Sequence, residues 1–173
     1  MRVVGIAETL ELIDGSAQLP TLRFLRDEQE TTCLAAPAMA TAAASIVEAY
    51  MDGEISEPEY RRLTTRIEAI LDQTEPEPTG LYQMTGPAFG NRRPFKLLAS
   101  SRAALRRLPL VLNATRAMPL DPGDAQVFAI AIAEDASLLL LDTEYNREQF
   151  RRACEGGLIV DVVWIPVEDG PPA

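Results

Sequence analysis

The C-terminal part of the chain contains two apolar runs separated by a polar segment. The runs are "SLLLL" (137–141) and "LIVDVVWI" (158–165), and the intervening "NREQFRRACEGG" (146–157) has the pattern of a surface helix. Continuous Leu, Ile and Val runs are typical of strands that are buried on both faces, and a strand–helix–strand order is typical of parallel pairing. The sequence therefore predicts an α/β fold with a mostly parallel central sheet flanked by helices.

Further elements are predicted along the rest of the chain. Either "RVVGI" (2–6) or the alternating "TLELI" (9–13) is a candidate first strand, because each is a short apolar segment. The other predicted strands or extended segments are 31–37, 81–84 and 109–113, and the other predicted helices are 19–29, 38–53, 56–73 and 94–108. The sequence contains no internal repeat.

Length and composition limit the classes of protein to which the chain can belong. Its 173 residues suffice for a single domain over 1–173. The chain has no His, and its two cysteines are far apart, which excludes a Cys/His zinc site and a Ser-His catalytic triad. The sequence has no long uncharged apolar stretch and no signal-like start, so we expect a soluble, cytoplasmic protein that does not bind membranes.

The charge is distributed unevenly along the chain. The formal net charge is −10, yet residues 78–120 contain no Asp or Glu and hold seven of the 16 basic residues. This basic segment is a candidate RNA-binding region, because Lys and Arg neutralise phosphates. An alternative is a surface helix that balances an otherwise acidic protein. The RNA-binding candidates are Arg92, Arg93, Lys96, Arg102, Arg106 and Arg107.

Acidic residues flank the last predicted strand. Asp121 has the sequence context of a helix N-cap, with Pro122 at the first helical position and Asp124 in the first turn. From Asp124 to position 135 a helix rises about 18 Å, and "SLLLL" returns by about 17 Å. Asp142 should therefore lie at the sheet edge at which Asp124 begins.

Carboxylates that meet at one edge repel each other unless a cation or a proton intervenes. Mg²⁺ is a natural partner, since it prefers oxygen ligands and usually takes one or two protein carboxylates plus waters. The alternative interpretation is that these acids are ordinary cap and loop charges.

The segment "DPGDAQVFAIAIAEDASLLLLDTEY" (121–145) resembles the C-terminal signature of PIN-domain nucleases, which include the toxins of toxin–antitoxin pairs. The resemblance implies a PIN-like three-layer fold and places Asp124, Asp142 and Glu144 in the acidic metal cluster. Tyr145 takes the aromatic position of the signature. The implied cofactor is Mg²⁺ or Mn²⁺.

Two other acids of the family are harder to place. Members begin with an apolar strand that leads into an Asp-x-Ser or Asp-x-Asn turn. Here Asp14 follows "TLELI" and is preferred as the first acid, with Glu8 after "RVVGI" as the alternative. The family's second acid lies early in the helix after the second strand, where this chain has no acid near Ala43. Glu48 comes more than a turn too late.

Two functions are compatible with these observations. The resemblance implies a metal-dependent endoribonuclease that cleaves RNA phosphodiester bonds with a metal-activated water, using Asp14, Asp124, Asp142 and Glu144. The alternative is a catalytically degenerate PIN-like protein that binds RNA or a protein partner. The partners compatible with the resemblance are RNA, an antitoxin-like protein and a second copy of the chain.

Overall fold

A computed structural model describes residues 1–27, 31–72, 74–76, 82–84, 95–117 and 119–167 of the chain. In chain order these residues form β1 Arg2–Val4, α1 Ile6–Asp14, α2 Pro20–Asp27, β2 Thr32–Ala35, α3 Ala36–Met51, α4 Glu57–Asp72, β3 Thr74–Pro76, β4 Tyr82–Met84, β5 Phe95–Leu98, α5 Arg102–Ala114, α6 Pro122–Ala133, β6 Ser137–Leu141, α7 Glu144–Glu155 and β7 Val162–Ile165.

The strands form one sheet in the order β3-β4-β5-β2-β1-β6-β7. The five strands from β5 to β7 are parallel, whereas β3 and β4 pair antiparallel at one side. From β1 the chain builds the sheet towards β2 and β5, and it then crosses over to place β6 on the other side of β1. The boundary between β1 and β6 is therefore the point at which the direction of winding reverses.

Helices cover both faces of the sheet. Successive strand residues point to opposite sides, so neighbouring residues of one strand belong to different cores. In β1, Val3 belongs to the core beneath α5, α6 and α7, and Val4 belongs to the core beneath α1 and α4. Leu138 and Leu139 alternate in the same way in β6. The predicted α/β fold with helices on both faces of a mostly parallel sheet is thus confirmed.

Of the two candidate first strands, "RVVGI" is confirmed, as β1 Arg2–Val4, and the alternative at 9–13 is wrong. These residues lie in α1, because Thr9, Leu12 and Ile13 share one buried helical face. Apolar residues at this spacing fit a helix better than the apparent alternation fits a strand. Gly15 ends α1 in the left-handed conformation with φ 74°, which glycine adopts without a steric penalty.

The predictions for 94–108 and 109–113 also need correction. Residues 95–98 form the strand β5, which pairs with β2, and the predicted extended segment "PLVLN" lies within α5. The helix continues through Pro109 because Val111 and Ala114 are buried in the core that α6 shares. Within the described ranges, no helix has the length and apolar character needed to cross a membrane.

Candidate functional site

The candidate site lies at the carboxyl end of the parallel strands, beside the boundary of β1 and β6. In open α/β sheets, ligands bind outside this edge where the winding direction reverses. Three segments reach it here: the turn from β1 into α1, the start of α6, and the turn from β6 into α7. Chemistry at this boundary depends chiefly on the side chains of these three segments.

Gly5 follows β1 directly and has no side chain to project from the strand end. The carboxylate of Glu8, one turn further along α1, fills that place. A Cβ built on Gly5 would lie 2.3 Å from Glu8 Oε2 and 2.8 Å from Leu140 Cδ2. Glu8 therefore brings a carboxyl group to the end of β1, and the glycine leaves room for it.

The carboxyl group of Glu8 is almost completely buried, with 1% of the residue exposed. Its Oε1 accepts a hydrogen bond of 2.5 Å from the backbone N–H of Leu141 at the end of β6. Burial raises the pKa of Glu8 to about 7, although the Leu141 bond opposes the shift, and the negative charge of Asp124 adds to it. Glu8 thus joins the β1 end to the β6 end and lies near Asp124.

Asp124 is in the first turn of α6, where the helix N-terminus favours a negative charge. Burial raises its pKa to about 6, and the charge of Asp121 contributes to the shift. Asp121 is the N-cap residue, as predicted, but its side chain makes no capping hydrogen bond. Helix capping alone therefore does not account for the acids of "LDPGDA".

The start of α6 is packed closely against two other helices. A Cβ on Gly123 would lie 2.4 Å from Thr41 Oγ1 of α3 and 2.9 Å from Ile6 Cδ1 of α1. This close approach places Asp124 beside the first turn of α1, which carries Glu8. The cluster combines two carboxyl groups that are distant in sequence.

Asp142 follows β6, and its backbone N–H donates to Ile165 O in the neighbouring strand, at 2.8 Å. Its carboxylate is bound by Arg147 through two hydrogen bonds, from Nε and, at 2.7 Å, from Nη2. This arginine lowers the pKa of Asp142. The Arg147 guanidinium also lies 5.0 Å from the centre of the Trp164 ring, so it is held from two sides.

Glu144 is exposed at the start of α7. It lines an open depression of about 440 Å³ together with Asp142, Arg147, Glu148 and Arg151. Both arginines are ion-paired there, Arg147 to Asp142 and Arg151 to Glu148. The depression therefore has mixed and largely compensated charge.

The structure does not bring Asp14 to this edge. Asp14 ends α1, at the opposite end of the helix from Glu8, and its Oδ1 accepts a 2.6 Å bond from Arg62 of α4. Arg62 also donates to the Asp14 backbone oxygen at 2.7 Å. Asp14 thus ties α1 to α4, and of the two candidate first acids only Glu8 lies beside Asp124.

Helix α3 begins at Ala36, and its first acid is Glu48. Ala43 is half-buried and Glu48 is exposed further along. The polar group that α3 supplies next to Gly123 is the Thr41 hydroxyl. The site therefore lacks a carboxylate on the α3 side.

The RNA-binding candidates are only partly described. Arg92 and Arg93 lie outside the described residues, and so does the side chain of Lys96. Arg102, Arg106 and Arg107 are exposed on α5. Their RNA-binding role stays a prediction.

Some of these site residues were missed from the sequence alone. Gly5 could have been found, because a glycine directly after an apolar run marks a place where another group approaches the backbone. Arg147 gave no such signal, since one arginine in a surface helix is unremarkable. Across the residues that the structure describes, no three Asp, Glu, Cys or His side chains are placed to share one metal ion.

Comparisons with known proteins identify the fold. No protein-family model matches the sequence, and no curated protein sequence matches it. The structure is similar to FitAB bound to an IR36 DNA fragment, with a TM-score of 0.59, 14% identity and coverage of 95% of this chain and 94% of that chain.

Two further solved structures agree. VapBC2 from Rickettsia felis bound to a promoter DNA fragment gives a TM-score of 0.60 at 11% identity, covering 94% of this chain and 97% of that chain. FitAcB from Neisseria gonorrhoeae gives 0.58 at 13% identity, covering 94% and 96%. All three are toxin–antitoxin complexes whose toxins are PIN-domain proteins. The PIN-like fold of this chain is thereby established.

Proposed function

We propose that this PIN-like protein is a metal-dependent endoribonuclease whose cation is held by Glu8 and Asp124. The observation that carries the proposal is the placement of these two carboxyl groups. They come from different helices, lie at the sheet edge where the winding reverses, and both have a raised pKa. A cation at this position would relieve the cost of ionising them together.

The two groups fit a hard divalent ion. Mg²⁺ is commonly bound by one or two protein carboxylates, with waters and substrate phosphate oxygens completing its coordination. Asp124 accepts no hydrogen bond from the residues that the structure describes, so its oxygens are available. Glu8 uses Oε1 for the Leu141 N–H, which fixes the orientation of the carboxylate.

When bound, Mg²⁺ or Mn²⁺ would polarise a phosphate oxygen and lower the pKa of a bound water. The residues of the chain have separate roles. Asp124 and Glu8 bind the ion as carboxylates, and the buried Gly123 brings the start of α6 close to α1. Asp142 can take part only after its carboxylate is released from Arg147.

The first experiment measures cation binding without RNA. Thermal unfolding of the wild-type protein should shift to higher temperature on addition of Mn²⁺, since an ion at about 100 times its Kd stabilises by roughly 2.7 kcal/mol. Glu8→Gln and Asp124→Asn should each abolish most of the shift. Asp121→Asn is the matched control, because it removes the same charge three residues earlier and should retain the shift.

The second experiment measures cleavage of single-stranded RNA in Mn²⁺ with the same purified proteins. Activity should depend on Mn²⁺, disappear in Asp124→Asn and persist in Asp14→Asn. Equal cleavage by the wild type and by both Glu8→Gln and Asp124→Asn would refute the proposal, as would the absence of any Mn²⁺-dependent shift in unfolding.

A catalytically degenerate PIN-like protein is the second candidate function. Three observations favour it: the strand-end residue is Gly5, α3 offers Thr41 instead of an acid, and Asp142 is neutralised by Arg147. Such a protein should bind a partner without cleaving RNA in Mn²⁺ or Mg²⁺. The Mn²⁺ titration separates the two, because a protein without a cation site should show the same small response in the wild type and in Asp124→Asn.

An antitoxin-like protein is the proposed macromolecular partner. The three similar structures are complexes with an antitoxin, and in two of them DNA is bound as well. Co-expression with the product of a neighbouring small gene, followed by co-purification and a cleavage assay, tests this proposal. A stable complex with lowered RNA cleavage supports it, and no complex contradicts it.

A further inference from the structure

Helix α5 has an exposed face that combines apolar and basic side chains. Leu105, Leu110 and Leu112 are 54%, 45% and 48% exposed. Arg102 and Arg106 are exposed between them. The opposite side of the helix is fully occupied, since Ala104, Val111 and Ala114 are buried in the core. An apolar residue exposed singly is ordinary, but Leu105 and Leu112 are seven residues apart and lie along the same line of the helix.

The order of these residues around the helix defines the surface. With 100° per residue, Leu105 and Leu112 lie along one border, Arg102 and Arg106 along the middle, and Leu110 along the other border. We call this set of five residues the α5 surface. It spans residues 102–112, about 15 Å of the 13-residue helix.

The charge of the α5 surface is not compensated locally. Helix α5 contains three arginines and no acid, in a protein of net charge −10. Arg102 and Arg106 form no ion pair with any residue of the described segments. By contrast, exposed arginines of α4 and α7 are paired, as Arg61 is to Glu57 and Arg151 is to Glu148.

We infer that the α5 surface binds an acidic amphipathic helix of a partner protein. Charge complementarity selects an acidic partner, because its carboxylates would meet Arg102 and Arg106. The border formed by Leu105 and Leu112 selects a helix with apolar residues at i, i+3, i+4 and i+7 spacing, whose apolar stripe can bury these two leucines. Acidic residues along one flank of that stripe would then face Arg102 and Arg106. The inference depends on this surface alone and does not require a cation at Glu8 and Asp124.

Two other occupants fit the surface less well. A two-fold contact between two copies of α5 would set the Arg102 and Arg106 rows of both copies against each other. Single-stranded RNA would satisfy the arginines, but RNA recognition uses aromatic stacking and phosphate contacts. The exposed leucines would gain nothing from phosphate.

The test uses the full-length protein and a designed peptide. The peptide is helical and about 15 residues long, to match the length of α5 at roughly 1.5 Å per residue. It carries Leu at the amphipathic spacing and Glu elsewhere, and a scrambled peptide of the same composition is the control. Fluorescence anisotropy should show that the wild-type protein binds the patterned peptide and not the scrambled one.

Variants then separate the contributions of the two residue types. Leu105→Ser/Leu112→Ser and Arg102→Glu/Arg106→Glu should each weaken binding about tenfold or more. Arg61→Glu/Arg151→Glu changes the net charge equally on other helices and should have little effect. Arg102→Glu/Arg106→Glu should gain binding to the same peptide with Lys in place of Glu. Unchanged unfolding temperatures confirm that the variants are folded.

Three results would overturn the inference. The first is no binding of the patterned peptide. The second is binding of a single-stranded RNA that depends on the arginines but is unaffected by Leu105→Ser/Leu112→Ser, with peptide binding absent. The third is self-association in analytical ultracentrifugation that the leucine variants abolish, which would identify the surface as a contact between copies.

Discussion

The carboxyl group of Glu8 accepts a hydrogen bond of 2.5 Å from the backbone N–H of Leu141, a residue 133 positions later in the chain. This contact fixes the first turn of α1 to the end of β6. It also places a buried acid between two adjacent parallel strands, in the position where ligands bind to such sheets. The stability and the ligand chemistry of the protein should therefore both depend on the ionisation of Glu8.

Stability should fall as pH rises from about 4.5 to 7, and Glu8→Gln should reduce this fall; the remainder comes from Asp124, whose pKa is also raised, to about 6. In that range Glu8 remains protonated in the folded state, where its pKa is about 7, but ionises in the unfolded state, where it is 4.5. The unfolded state then binds fewer protons, so the free energy of unfolding decreases, by on the order of 3 kcal/mol for this shift.

Urea denaturation at pH 5 and pH 7.5 measures this effect. The exposed Glu54→Gln is the control and should retain the wild-type pH dependence. A pH dependence that is identical in the wild type and in Glu8→Gln would show that Glu8 is not the group responsible.

Gly5→Ala should destabilise the fold by about 1–3 kcal/mol, the usual cost of overpacking. The new methyl group would overlap Glu8 Oε2 and press on Leu140 Cδ2. In Gly5→Ala/Glu8→Ala the overlap with Glu8 is gone. The free energy of unfolding of the double variant should therefore fall by less than the sum of the losses in the two single variants, by at least about 0.5 kcal/mol. Chemical denaturation of the four proteins gives this coupling, and strict additivity would contradict the contact.

Arg147→Gln should raise the pKa of Asp142 towards its ordinary value. The arginine holds the ionised form through two hydrogen bonds, and glutamine carries no charge. NMR titration of the carboxyl carbon of Asp142 measures the shift, with Arg152→Gln as a control on the same helix. Emission of Trp164, the only tryptophan of the chain, should change in Arg147→Gln and not in the control, because Arg147 lies over its ring.

In the native protein only Cys154 should react readily with a thiol reagent. Cys154 is exposed, whereas Cys33 is buried in β2. Partial desolvation of the Cys154 thiol raises its pKa, so its reaction should accelerate above neutral pH as the thiolate forms. Reaction of a second equivalent of the reagent, at Cys33, should require unfolding of the protein. The Cys154→Ser variant should show no fast phase of reaction. Equal rates for both thiols would contradict the buried position of Cys33.

The sequence predicted the structure correctly where a local pattern is compatible with only one kind of secondary-structure element. The apolar runs at 137–141 and 158–165 predicted two parallel strands, and the structure has them as β6 and β7. The start of α6 at Pro122 was predicted by its local helix-start residues. Prediction failed at 9–13, 95–98 and 109–113, where short apolar segments suit either a strand or a helix and long-range packing decides between them.

By itself, the sequence determined the class of fold and placed an acid at the start of a helix and another after a strand, because hydrophobic periodicity and capping are local properties. Only the tertiary structure decided which acids meet. Glu8 and Asp14 lie at opposite ends of α1, so the contacts of that helix with β6 and α4 bring Glu8 to the sheet edge and pair Asp14 with Arg62. The pairing of Asp142 is also decided by the tertiary structure. Arg147 balances its charge, because the start of α7 and the strand β7 hold that arginine in place.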